Sequence, residues 1–276
     1  MIAWRLTELS YQRTGTPTQL KPLDWTGRTL AQVNHDRIMA SACMVSYITA
    51  GGWPRWIKFF RDEPQEAYVS GDRLLLLTNS LVYDEWGILG PALLLDIANG
   101  KQIAKLRGDR AAGTGDGRFI LGLEGYDFFD SWLYNRDGTI IDQWRSYGHY
   151  IVDLDGVIRV VECDRSTPTS SRIVRLRPNG VIEAGPHLTT GQVPRPAELP
   201  DGTIIVLDCG KLRAIDRGLN DTVLAELLTI SPREAWRFQG KLAVMNAKLQ
   251  VSIEERIEDS TGEYMTHRWE FAVESA

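Results

Sequence analysis

Oxygen-bearing side chains recur at one place in the sequence pattern: six or seven residues beyond a turn glycine, at the far end of an apolar run. Gly71 leads to Thr78, Gly117 to Glu124, Gly156 to Glu162, Gly202 to Asp208 and Gly240 to Asn246. If those strand ends converge, they form a set of hard oxygen ligands suited to Ca²⁺. The same set could supply a general base for hydrolysis of a lactone or similar ester. In that reading Glu124 and Glu162 are metal ligands, Asp208 a ligand or the base, and Asn246 an amide that orients substrate. The plainer reading is that polar residues end strands and face water, with no metal and no cofactor.

Other routes to catalysis find little support. The four histidines, His35, His149, His187 and His267, are scattered, and none has the HxH or HExxH spacing of a zinc site. Gly113-Thr-Gly-Asp-Gly117 is glycine-rich but lacks the Lys-Ser/Thr ending of a phosphate loop. It also leads into a strand, where phosphate cradling needs a helix N-terminus; its expected role is a flexible connection between repeats. There is no Gly-x-Ser-x-Gly elbow for a serine hydrolase.

Aromatic residues point to binding. Gly125-Tyr-Asp-Phe-Phe-Asp-Ser-Trp132 follows an apolar strand directly, and Trp53, Trp56, Phe59 and Phe60 surround the Gly51-Gly52-Trp53-Pro54 turn. Most of these are expected in the core, as large residues that fill space between sheets. The loop-borne Tyr126, Phe128 and Trp53 are the candidates for exposure. With Asp127 and Asp130 as an acidic rim, they suit a protein-binding hot spot.

The elements that must position these residues are strands. Short runs of Val, Ile, Leu and Trp are punctuated by Gly, Asn and Asp, and helical periodicity is scarce. The first-turn glycines lie 46, 39, 46 and 38 residues apart. A second series of hairpin turns runs through Asn99-Gly100, Asp137-Gly138, Asn179-Gly180, Asn220-Asp221 and Gly262, in steps of 38, 42, 41 and 41. Asn-Gly and Asp-Gly supply the positive φ that tight hairpins demand. Both series share a period near 41, with room for four short strands per unit.

That pattern resembles the β-propellers as an architecture, over almost the whole chain, and no single family among them. The WD40, Kelch and lactonase signatures are absent. The resemblance implies an all-β fold: a single β-propeller of six or seven four-stranded blades, spanning 1–276. Blade cores fall near 37–70, 71–107, 117–146, 150–186, 202–228 and 240–272, with 1–36 closing the ring. It also implies that the innermost strands converge on a central axis, which would gather the acidic strand ends into a ring. Six-bladed calcium-dependent lactonases are similar in placing acidic and amide side chains there.

Composition narrows the partners. A net charge of −5 with a pI near 5.5 argues against a broad nucleic-acid footprint. No run approaches the ~18 apolar residues of a membrane helix, and the first residues do not read as a secretory signal. Three separated cysteines, Cys43, Cys163 and Cys209, read as free thiols of a cytoplasmic protein. The acidic stretch from Glu254 to Glu263 reads as the solvated face of an outer hairpin. Together these features favour a non-catalytic protein-binding propeller of bacterial type. Its most concrete form is an immunity protein that masks a toxin or effector. The alternative is a divalent-metal-dependent hydrolase working at Glu124, Glu162, Asp208 and Asn246.

Overall fold

The computed structural model describes residues 4–17, 27–78, 82–84, 87–89, 91–124, 129–163, 171–189, 193–257 and 263–275. Strand β1 (Trp4–Pro17) is followed by a first sheet of β2 (Arg28–Val33), β3 (Asp36–Ser41), β4 (Met44–Ile48) and β5 (Pro54–Phe59). The second sheet pairs β6 (Pro64–Ser70) and β7 (Arg73–Thr78) with two later strands. A small hairpin, β8 (Val82–Asp84) and β9 (Gly87–Leu89), intervenes before those strands, β10 (Pro91–Asp96) and β11 (Gln102–Arg107). The third sheet is β12 (Arg110–Gly113), β13 (Phe119–Glu124), β14 (Phe129–Tyr134) and β15 (Ile140–Trp144). The fourth is β16 (Gly148–Val152), β17 (Ile158–Cys163), β18 (Ser171–Leu176) and β19 (Ile182–Leu188). The fifth is β20 (Ala197–Glu198), β21 (Ile204–Asp208), β22 (Lys211–Ile215) and β23 (Asp221–Glu226). In the sixth, β24 (Phe238–Met245), β25 (Lys248–Arg256) and β26 (Glu263–Ser275) take β1 as their fourth strand. The chain is thus six four-stranded antiparallel sheets of one repeating form.

These sheets cluster into two compact units. One holds the first three sheets and the fourth as far as Val160, with Leu176–Glu183; the other holds the rest of the fourth, the fifth, the sixth and β1.

The register of the repeat differs from the expected one. The apolar runs after the first-turn glycines are β7, β13, β17 and β21, the second strand of each sheet. A first strand precedes each, and it is the first strands that meet from sheet to sheet. In one unit β2 touches β6, β6 touches β12 and β12 touches β16; in the other β20 touches β24. Every sheet therefore starts before its expected blade core, and β2 lies inside the segment expected to close the ring. Gly240 sits within β24 instead of in a turn; the β24–β25 turn is Asn246-Ala247, with φ of 52° and 58°.

Burial explains the leucines. In β7, Leu74 and Leu76 pack with Ile38, Val45, Tyr47 and Trp56 of the first sheet, while Leu75 and Leu77 pack with Phe119, Leu121 and Trp132 of the third. A strand covered on both faces has no polar side to alternate, and each buried leucine contributes ~1.5–3 kcal/mol. The second turn series also finds its reason. Three of the outer turns lie against the fourth strand of the preceding sheet: Gly100 on Trp56, Gly138 on Ala104 and Gly180 on Gln143. At Gly100, φ is +68° and a Cβ would stand 2.9 Å from the Trp56 ring, so the close approach requires glycine. The indole N–H of Trp56 donates to the Ile97 carbonyl at 2.9 Å, and Trp144 donates to Arg177 at 2.7 Å. These two tryptophans clasp one sheet to the next, beyond filling space.

Gly113–Gly117 is the hairpin between β12 and β13, inside one sheet, and not a connection between repeats. Asp116 accepts from Thr114 Oγ1 at 2.6 Å and from Arg118 Nε at 2.8 Å, and Gly117 N donates to Ser70 Oγ at 2.9 Å. The loop is tied down.

Candidate functional site

The first sheet has two unlike faces. Ile38, Ala40, Val45, Tyr47 and Trp56 point into the core. Alternation and register put the next residues on the opposite face: Met39 opposite Ser46, Ser46 opposite Ile57, and Met44 opposite Phe59, with Ile48 beside them. That face is apolar yet open to solvent: Phe59 is 79% exposed and Ile57 47%, while Met39, Met44 and Ile48 are half-buried. At the head of the hairpin, Trp53 is 77% exposed.

The hairpin that carries Trp53 is built rigidly. Thr49 N donates to the Trp53 carbonyl at 2.9 Å, Trp53 N donates to Thr49 Oγ1 at 3.1 Å, and Gly52 N donates to the Thr49 carbonyl at 2.9 Å. Asp36 receives Ala50 N at 2.9 Å and pairs with Arg55 at 3.0 Å, and that guanidinium stands 4.9 Å from the Tyr47 ring centre. Burial, then the hydrogen bond to Asp36, pushes the Tyr47 phenol above its ordinary range. β5 is also an edge strand, whose outer backbone groups are available for pairing. Exposed aromatics on a pre-ordered hairpin lose little entropy on binding, and contiguous apolar surface of this kind marks interaction sites.

Of the residues expected to touch a partner, Trp53 lies here. Asp130 is on β14 of the third sheet, so it belongs to a different surface. Burial raises its carboxyl, against Arg145 and Arg107. Tyr126, Asp127 and Phe128 lie outside the described residues. Ser131 on β14 joins a polar network that sequence reasoning missed. Tyr150 Oη lies 2.8 Å from Ser131 Oγ, whose hydroxyl donates to the Ser146 carbonyl. Tyr147 Oη donates to Asp109 at 3.0 Å, with Arg110 4.9 Å over its ring. Burial raises the Asp109 carboxyl and both phenols.

Two of the oxygen ligands expected on an axis, Glu162 and Asp208, have local arginine partners of their own. Thr78 and Glu124 end β7 and β13 in one unit; Glu162, Asp208 and Asn246 belong to the other. Glu162 is paired with Arg172 at 2.5 Å. Asp208 is buried, accepts from Thr189 N at 2.8 Å and pairs with Arg213 at 2.5 Å; Arg213 also grips Asp221 through Nε and Nη2. Asn246 occupies a left-handed turn position. Among the described residues, no group of three or more His, Cys, Asp or Glu side chains is placed to hold a metal ion.

The remaining singled-out residues are structural. His267 is buried, 2.9 Å from Tyr11 Oη, and stacked with Tyr11 and Trp269. In the acidic stretch, Glu255 lies on β25, inside its sheet, and pairs with Arg237 at 3.5 Å on the side of His267. Cys43 and Cys209 are free and half-buried, and burial pushes the Cys209 thiol up to about 11. Among the described residues, no helix is long and apolar enough to cross a membrane.

No protein-family model and no curated protein matches this chain. Solved β-propellers share its fold. BamB from Moraxella catarrhalis is 13% identical, over 96% of this chain and 100% of its own, with a TM-score of 0.50. Hsv2 from Kluyveromyces lactis is 10% identical, over 87% of this chain and 83% of its own, with a TM-score of 0.57. At such identities the likeness is one of architecture, and the chain has the β-propeller architecture without a specific family.

Proposed function

We propose that this chain is a non-catalytic, protein-binding β-propeller of six blades. Its principal contact surface is the open apolar face of the first sheet with the Trp53 hairpin. The observation that carries this reading is the exposure of Trp53, Ile57 and Phe59 together on one rigid hairpin. Large aromatic anchors surrounded by half-buried apolar side chains are the usual composition of a hot spot. Arg55 and Lys58 at its margin favour a partner with complementary acidic groups.

In its most concrete form the chain is an immunity protein and the partner a bacterial toxin or effector. The separate pairing of Glu162 and Asp208 with arginines supports binding over hydrolysis. A second patch, formed by Tyr126, Asp127, Phe128 and Asp130, belongs to the same proposal.

Stoichiometric capture from the native host tests it. The wild-type chain retains a partner, and Trp53→Ala with Phe59→Ser loses it. Undiminished capture by that double variant would overturn the placement of the surface. Tyr126→Ala with Phe128→Ala reports separately on the second patch.

A further inference from the structure

The sixth sheet is open on one side, and the chemistry of that side differs from the first sheet's. Leu249, Val251 and Ile253 of β25 and Trp269 and Phe271 of β26 enter the core, and the residues between them face the other side. Register aligns two polar rungs across all four strands. One runs Gln12, Arg268, Ser252, Lys241; the other runs Ser10, Glu270, Gln250, Ala243. The twisted face between them is a cleft of about 370 Å³.

Its charges are not balanced. Glu270, the acidic side chain lining the cleft, is held by Lys248 at 2.8 Å and receives Gln250 Nε2 at 3.3 Å. Lys248 and Gln250 hold the Glu270 carboxyl below its usual range. Among the described residues, Arg268 and Lys241 have no hydrogen-bond or ion-pair partner, and Glu254 on the next rung makes no ion pair with either. Two cations without carboxylates, beside uncommitted Gln12 and Ser252, stand in a chain whose net charge is −5. The cleft is open and lined by both polar and apolar groups, unlike the enclosed apolar pockets that hold small ligands. It has the form to receive a chain lying across the strands.

We propose that this face binds an acidic, extended segment of a protein partner, with Arg268 and Lys241 receiving its carboxylates. Arg268 can take a carboxylate through two parallel N–H donors and Lys241 a second as a point charge. Gln12 and Ser252 meet the segment's remaining polar groups. This surface is chemically distinct from the apolar face of the first sheet, and either can fail without the other.

The probe is a synthetic peptide of alternating Asp and Ser, titrated calorimetrically into the full chain, with an Asn-for-Asp counterpart and succinate as comparators. The expected results are binding of the Asp peptide that weakens with added salt, and weaker binding of the Asn peptide and of succinate. Arg268→Gln with Lys241→Gln should weaken the Asp peptide by about tenfold or more, and Glu270→Gln should tighten it. Trp53→Ala with Phe59→Ser should leave it unchanged. Equal affinity for the Asn peptide, or full affinity in the Arg268/Lys241 variant, would overturn the proposal. Succinate binding as tightly as the peptide would also overturn it, in favour of a small carboxylate. Both cations are exposed, and Lys241→Gln alone gives the same readout should the double variant fold poorly.

Discussion

Gly122 of β13 lies directly beneath the Tyr150 side chain, so closely that the space of its absent Cβ is occupied by the phenol group, with the Tyr147 ring 2.8 Å away. Its φ is not in the left-handed region, so the requirement for glycine is one of volume alone. Gly122→Ala should destabilise the chain by about 1–3 kcal/mol through overpacking. Tyr150→Phe in the same background should recover part of that loss, and urea unfolding of the four-member cycle measures the coupling. Additive losses would show that the two residues do not compete for the site.

Arg213 is the common partner of two carboxylates, one of them buried. Arg213→Met leaves Asp208 buried and uncompensated beside Asp221, and should cost about 3–5 kcal/mol. Thermal unfolding is a sufficient assay. A variant as stable as wild type would mean that the Thr189 hydrogen bonds, with solvent, suffice to stabilise Asp208.

At the surface hairpin, the opposite is expected. Trp53→Ala and Phe59→Ser should change stability by no more than about 0.5 kcal/mol. Phe59→Ser should also reduce any self-association seen by light scattering. A large loss of stability would instead place these side chains in the folded core.

Asp116 provides a pH test. The Arg118 side chain, then the Thr114 hydroxyl, hold its carboxyl down to about 2. A carboxyl lowered by folding contributes stability above its unfolded value near 3.8 and loses it as pH falls through about 2. NMR titration of this carboxyl should show the low midpoint, and Arg118→Gln should return it toward the ordinary range. Because Asp116 is largely exposed, the associated stability is at most about 1 kcal/mol.

Much of the fold was legible because turns advertise themselves. Asn-Gly and Asp-Gly pairs mark the outer hairpins, and runs such as Leu74–Leu77 mark strands covered on both faces. The first strands were not legible. Pro64-Gln-Glu-Ala-Tyr-Val-Ser70 has neither a clean apolar run nor strict alternation, because it is held by neighbouring first strands as well as by its own sheet. Counting from the glycines therefore reached the second strands: Thr78 and Glu124 end β7 and β13, and Glu162 lies one residue before the end of β17. The exposure of Trp53 followed from its turn. Phe59 was expected in the core, and Ile57 was not singled out, because sequence shows hydrophobicity but not which face a neighbour covers. Their signal was the alternation around Trp56. The polar face of the sixth sheet was visible in Lys-Leu-Gln-Val-Ser-Ile, whose period of two marks one wet side.

The pairing of β1 with β26 has a consequence for biosynthesis. Tyr11 and His267, bonded to one another, are 256 residues apart. At ~5–20 residues per second, β1 waits some tens of seconds after its own synthesis for the strand it pairs with. During that interval the sixth sheet has only its fourth strand, and the edge of β1 is open to other chains. Completion of this sheet is therefore among the last folding events.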